Sequence, residues 1–123
     1  MPFPPALLEL AALSATEDES SIAALCLQAA DCAAVCVPPP FVAQARRALP
    51  AAVQVASVVN FPDGAQSQEA IYATLRQILA DGGDEIAFLF PYRAFINDNA
   101  SSALELSEGV AQFSHDHDTR LRV

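Results

Sequence analysis

Apolar and polar positions alternate along the chain in blocks whose period keeps switching. Residues 6–13, "ALLELAAL", form a short apolar run of strand length. "TEDE" follows, with Thr16 and Glu19 spaced as a capping box, and predicts a helix reaching about Ala30. Its apolar positions Ile22, Leu25, Cys26 and Ala29 recur at helical spacing. "AAVCV" (33–37) is a continuous apolar run, as expected of a strand buried on both faces. Pro38, Pro39 and Pro40 stop it and open a helix over roughly 40–49, with Phe41, Val42, Ala45 and Ala48 on one side. A third strand, "VQVASVVNF" (53–61), runs into the turn "PDG". Residues 67–80 then form an amphipathic helix with Ile71, Leu75, Ile78 and Leu79 inward, closed by "DGG". "EIAFLF" (85–90) reads as a fourth buried strand. Ser102 and Glu105 mark a second capping box and a helix to about Phe113, and "RLRV" opens a fifth strand.

Four strand–helix units joined by short loops predict a single α/β domain over 1–123 with a parallel sheet. No G-x-G-x-x-G or G-x-x-x-x-G-K-[ST] is present, so nucleotide-binding versions of the pattern lose their main support. An open sheet and part of a (β/α)8 barrel remain, and a fifth strand begun at the last residues favours the barrel.

Composition narrows the chemistry. The net charge of −9 argues against nucleic acid and anionic membrane, which both reward clustered cations. No apolar run approaches the roughly 18 residues of a membrane span, and "MPFPPALLEL" has no basic n-region, so a cytoplasmic protein is expected. All 6 basic residues are arginines, and no lysine is present. A Schiff base on a side-chain amine therefore cannot form within these residues. A phosphorylated ligand stays possible, because arginines and helix N-termini hold phosphate. Cys26, Cys32 and Cys36 fit no zinc spacing and read as buried free thiols.

Several polar residues have both a chemical and a structural reading. In "SHDHD" (114–118), His115 and His117 could share a metal if the segment is extended; otherwise it is a solvated loop. Asp84 and Glu85 could serve as acid and base, or could close a helix–strand turn. Arg93 is placed for an anionic ligand, or for an ion pair with Asp98 or another carboxylate; Tyr92 and Phe95 beside it read as packing residues. Arg46 and Arg47 read as a solvated patch on a helix's outer face.

Three stretches resemble one family. "AAVCVPPPFVAQARRAL" is similar to the second strand and helix of deoxyribose-phosphate aldolases. "VASVVNFPDGAQS" resembles their third strand with its F-P-x-G loop, and "ADGGDEIAFLFPYRAF" their A-D-G-A-D-E-[IV]-D strand. The likeness runs from about residue 8 onward. It implies a partial (β/α)8 barrel, with about four units and the start of a fifth strand, in a fold that typically needs about 250 residues. The chain then corresponds to roughly the first half.

The resemblance also implies a chemistry. Such enzymes cleave 2-deoxyribose 5-phosphate to acetaldehyde and glyceraldehyde 3-phosphate through a lysine imine, with a second lysine nearby and an aspartate moving protons. They need no added cofactor. Here the aspartate position holds Ala87, and the first-strand D-x-T element falls on Glu9 and Ala11. Both lysines would lie beyond Val123. Cys36 and Asn60 remain as pocket-lining candidates, with Arg93 at the end of the same strand as Ala87. The expectation is a truncated or degenerate aldolase-like protein, inactive alone, whose ligand, if any, is a phosphorylated sugar. A half-barrel leaves two edges open, so a homo-oligomer or a second chain completing the barrel is expected. The alternatives are a non-catalytic half-barrel that binds or assembles, and a metal-binding protein using His115 and His117.

Overall fold

The structure, a computed structural model, describes residues 9–14, 16–61, 64–96 and 100–122, without the side chains of Arg93 and Ala94. Its strands are β1 (Glu9–Ala11), β2 (Ala34–Val37), β3 (Gln54–Val59), β4 (Glu85–Phe88) and β5 (Arg120–Arg122). They lie in one sheet in the order β1-β2-β3-β4-β5, every neighbouring pair parallel. Helices α1 (Glu19–Ala29), α2 (Val42–Ala48) and α3 (Gln68–Ala80) fill the first three crossovers. A turn of 3₁₀ helix, Pro39–Phe41, leads into α2, with proline in its first turn where no amide is needed. The last crossover holds α4 (Tyr92–Ile96) and α5 (Ala100–Asp116).

Most expected elements are present with shifted ends. The helix N-cap is Asp18 rather than Thr16: its carboxylate accepts from the Ser21 amide at 2.8 Å, and the Asp18 amide donates to Ser21 Oγ at 2.9 Å. "TEDESS" (16–21) contains both spacings, and a carboxylate at the positive end of the helix outcompetes a hydroxyl. The second expected box is also misplaced, because Ser102 and Glu105 lie inside α5, which begins at Ala100. β4 stops at Phe88, and α4 follows Pro91 where no helix was expected. Residues 6–8 of the first apolar run, Pro62 and Asp63 of the "PDG" turn, and Val123 lie outside the described residues.

The two faces of the sheet are built differently. Val35, Val37, Val55, Val59, Ile86 and Phe88 point outward and join Ile22, Val42, Ile71, Leu75, Ile78 and Val110 of the helices in one buried cluster. Each such side chain contributes about 1.5–3 kcal/mol when fully buried. The alternate positions face the other way and, apart from Val58, are small or polar: Ala11, Ala34, Cys36, Ala56, Ala87, Glu9, Gln54, Glu85, Arg120 and Arg122. No described helix is long and apolar enough to cross a membrane.

One ion pair reveals the curvature. Arg122, on one edge strand, donates from Nη1 and Nη2 to the two carboxylate oxygens of Glu9, on the other edge, at 2.9 and 3.1 Å. Five strands laid flat at about 4.8 Å would separate those edges by about 19 Å, beyond comfortable reach of two side chains. The sheet is therefore curled, with the small and polar positions on its concave side. In an eight-stranded barrel the first and fifth strands stand opposite each other, so Arg122–Glu9 is a strut across the lumen.

Candidate functional site: the concave face and the strand C-termini

The concave face has a charged centre on an alanine floor. The strut also approaches β4, with Arg122 Nε 3.4 Å from Glu85 Oε1. Two carboxylates thus share one guanidinium, whose proton is held more tightly by the hydrogen bond to Glu9. Cys36 lies in the same electrostatic neighbourhood and is buried. Burial, and then the charges of Glu9 and Glu85, push its thiol up to about 11 against the opposing pull of Arg122. A thiol so protonated is a lumen wall, with little nucleophilic character near neutral pH.

Ala87 pairs in register with Arg122, beside this cluster. A methyl group there can neither accept nor relay a proton. Ala11, in register with Cys36 on β1, likewise supplies no hydroxyl. The inward strand positions therefore carry the guanidiniums of Arg120 and Arg122, the carboxylates of Glu9 and Glu85, the amide of Gln54 and the protonated thiol of Cys36.

Asn60 is a tie rather than a wall. It ends β3 with φ 64°, a left-handed conformation that asparagine tolerates better than most residues. Its side chain is buried and donates from Nδ2 to the Leu89 carbonyl at 2.9 Å. Its Oδ1 accepts from the Gln66 amide at 2.8 Å, and its own carbonyl accepts from the Gly64 amide at 2.9 Å. One residue thus fixes the β3 loop against the end of β4. Its neighbour Phe61 lines a cavity of about 410 Å³ at the C-terminal ends of the first three strands.

The other candidates are dispersed. Arg93 sits in α4, but its side chain and its suggested partner Asp98 lie outside the described residues. Tyr92 and Phe95 are 42% and 44% exposed, so packing is partial, though Phe95 meets Phe90 edge-on. His115 falls in the last turn of α5, and His117 just beyond it stacks on Phe113 and faces that residue's carbonyl at 2.8 Å. The extended segment that a shared metal would need is therefore replaced by a helix end, where neighbours two apart diverge around the axis. Among the described residues no three His, Cys, Asp or Glu side chains come together as a metal site.

Asp84 and Arg46 form a structural clamp at the opposite ends of the strands. Arg46 Nη1 donates to Asp84 Oδ2 at 2.6 Å, while Nη2 donates to the carbonyls of Pro50 and Val53 at 2.7 and 3.0 Å. Asp84 Oδ2 also accepts from the Val55 amide at 2.9 Å. Arg46 is thus committed to the fold rather than solvated, and only Arg47 of the pair is exposed. Gly82, at φ 91°, brings the turn so close that a Cβ would stand 2.9 Å from Arg46 Cγ. The Glu9–Arg122–Glu85 cluster was not anticipated from the residues as a group. Its signal was charge at inward-facing strand positions within otherwise apolar runs.

Comparison with known proteins agrees with this architecture. No family model matches the chain. A deoxyribose-phosphate aldolase of Agrobacterium fabrum is 36% identical over 110 residues, covering 85% of this chain and 42% of the relative. A candidate deoxyribose-phosphate aldolase of Toxoplasma gondii superposes with TM-score 0.71 at 30% identity, over 83% of this chain and 41% of that one. Another, from Coccidioides immitis, gives TM-score 0.86 over 94% of this chain and 47% of that one; at 23% identity it speaks for the fold alone. The chain thus spans less than half the length of each of these three relatives. The chain is an α/β sheet curled as part of a TIM-type barrel, and along 85% of its length it is similar to one part of a deoxyribose-phosphate aldolase.

Proposed function

We propose that these 123 residues supply the first strands of a deoxyribose-phosphate aldolase-type barrel without its imine chemistry. The observation that carries this reading is the concave face. Its inward positions are those of a lumen, yet Ala87 occupies the proton-relay position and the sequence contains no lysine. In retro-aldol cleavage through an imine, a neutral amine attacks the substrate carbonyl, and the iminium then accepts the electron pair of the breaking carbon–carbon bond. Any such amine must come from polypeptide other than these residues, either continuous with them or separate.

The open edges β1 and β5, with a lumen floored by alanine, support a second element of the proposal. Further strands, from a second copy or another chain, cover this face. A neighbour of the same fold from Aeropyrum pernix is described as tetrameric, which is compatible with a homo-oligomer. A phosphorylated sugar would then belong to the assembled barrel.

The test is borohydride reduction of the chain in the presence of 2-deoxyribose 5-phosphate, read by intact mass. No side-chain adduct is expected, and Ala87→Asp on its own restores no turnover. A reduced adduct on a side chain of this polypeptide would refute the proposal.

A further inference from the structure

The ionic side chains at inward strand positions, Glu9, Glu85, Arg120 and Arg122, are unevenly matched. Arg122 holds both carboxylates, Glu9 at 2.9 Å and Glu85 at 3.4 Å. Arg120 is exposed on the β5 edge strand and forms no ion pair among the described residues, although Glu85 is its cross-strand neighbour. One edge of the sheet thus presents an unmatched guanidinium, and the other, β1, presents the carboxylate of Glu9.

The outward positions of the two edges also match. Leu10 on β1 and Leu121 on β5 are each half-buried against the core cluster. Laid side by side in parallel with Glu9 opposite Arg120, the edges bring Leu10 opposite Leu121 and Ala11 opposite Arg122. A slip of one residue would set leucine against charge on both faces, so the alternation permits this register and rejects its neighbours.

We propose that the strands covering the open face are those of a second copy of this chain: β5 of each copy pairs in parallel with β1 of the other, and Arg120 meets the partner's Glu9. This rests on the reading that further strands complete the lumen, and it names those strands. Two-fold symmetry about the barrel axis makes both junctions at once and leaves neither edge open. Two five-stranded sheets form a wider ring than the eight-stranded barrel across which the strut fits. Glu9 therefore leaves Arg122 for the partner's Arg120, while Arg122 keeps Glu85. Each inward guanidinium then has one carboxylate, and the partner copy supplies a residue that this lumen lacks.

The junction is tested by the double substitution Leu10→Cys and Leu121→Cys in the 123-residue chain. Paired strands about 4.8 Å apart bring these positions within disulfide reach between copies, whereas within one copy they lie on opposite edges. Cys26, Cys32 and Cys36 are buried and should take no part. Mild oxidation is expected to give a dimer linked between positions 10 and 121 in peptide mapping, and neither single variant should give that link. Native mass spectrometry of the unoxidised chain is recorded alongside. Monomers throughout overturn both this inference and the reading beneath it. Dimers that never form the link, or a different polypeptide held on the chain, overturn the inference and leave that reading standing. If the cysteine variant does not fold, Arg120→Glu provides the test, because it changes an exposed residue outside the strut. Like charge at both junctions should raise the concentration at which dimers dissociate about tenfold, and by less in high salt. An unchanged concentration overturns the inference.

Discussion

The same strands present two faces finished to different degrees. Outward, Val35, Val55, Val59 and Ile86 are sealed under helices, with α1, α2, α3 and α5 contributing to that layer. Inward, alanines and a three-residue ion cluster line a space this chain only partly encloses, with Glu9 and Arg122 still exposed. Stability therefore resides on the outer face. The inner face, by contrast, carries few large apolar side chains and is held by polar contacts.

Substitutions should separate the faces, and the largest effects belong to the outer one. Ile86→Ala is expected to cost about 2–5 kcal/mol in denaturant unfolding, whereas Ala87→Ser next to it should change stability little. Equal losses at both positions would erase the distinction. Next comes the helix–strand clamp at the far end of the sheet. Arg46→Ala removes the guanidinium donor from the Asp84 carboxylate and from the Pro50 and Val53 carbonyls, while Asp84 keeps the Val55 amide, at a cost of about 1–3 kcal/mol.

The inner face should respond to pH and salt instead. Cys36 is protonated in the folded chain up to about pH 11, whereas its ordinary value is 9.0. The folded state thus holds the proton more tightly than the unfolded state. Its contribution is fully present below pH 9.0 and is lost as pH rises toward about 11. Cys36→Ala should flatten that part of the unfolding profile, and an unchanged profile would remove the thiol from the account. The smallest effect is expected at the strut. Arg122→Gln should cost about 0.2–1 kcal/mol, because the pair is partly exposed, and the difference should shrink in high salt.

How far this could be read in advance depended on the range of the interactions involved. The alternation of elements was legible, since period-2 and helical spacing are local properties of each segment. Helix starts were less so, because "TEDES" offers two caps and only the geometry of α1 selects Asp18. Helix α4 was missed: its five residues lie directly after an apolar strand and carry no cap signal of their own. At the site, Ala87 stood out through the motif around it. The bridge from Glu9 to Arg122 was not, because it exists only once the sheet curls and brings opposite edges within reach. His117 shows the converse: a suggestive motif takes helical geometry and packs on Phe113.

The central claim is that the inner face is part of a barrel lumen needing further strands. Native mass spectrometry of the purified 123-residue chain at micromolar concentration tests it most directly. The account predicts that the chain is found in an assembly, with copies of itself or with another polypeptide seated on the open edges. A strictly monomeric, stably folded chain would contradict it.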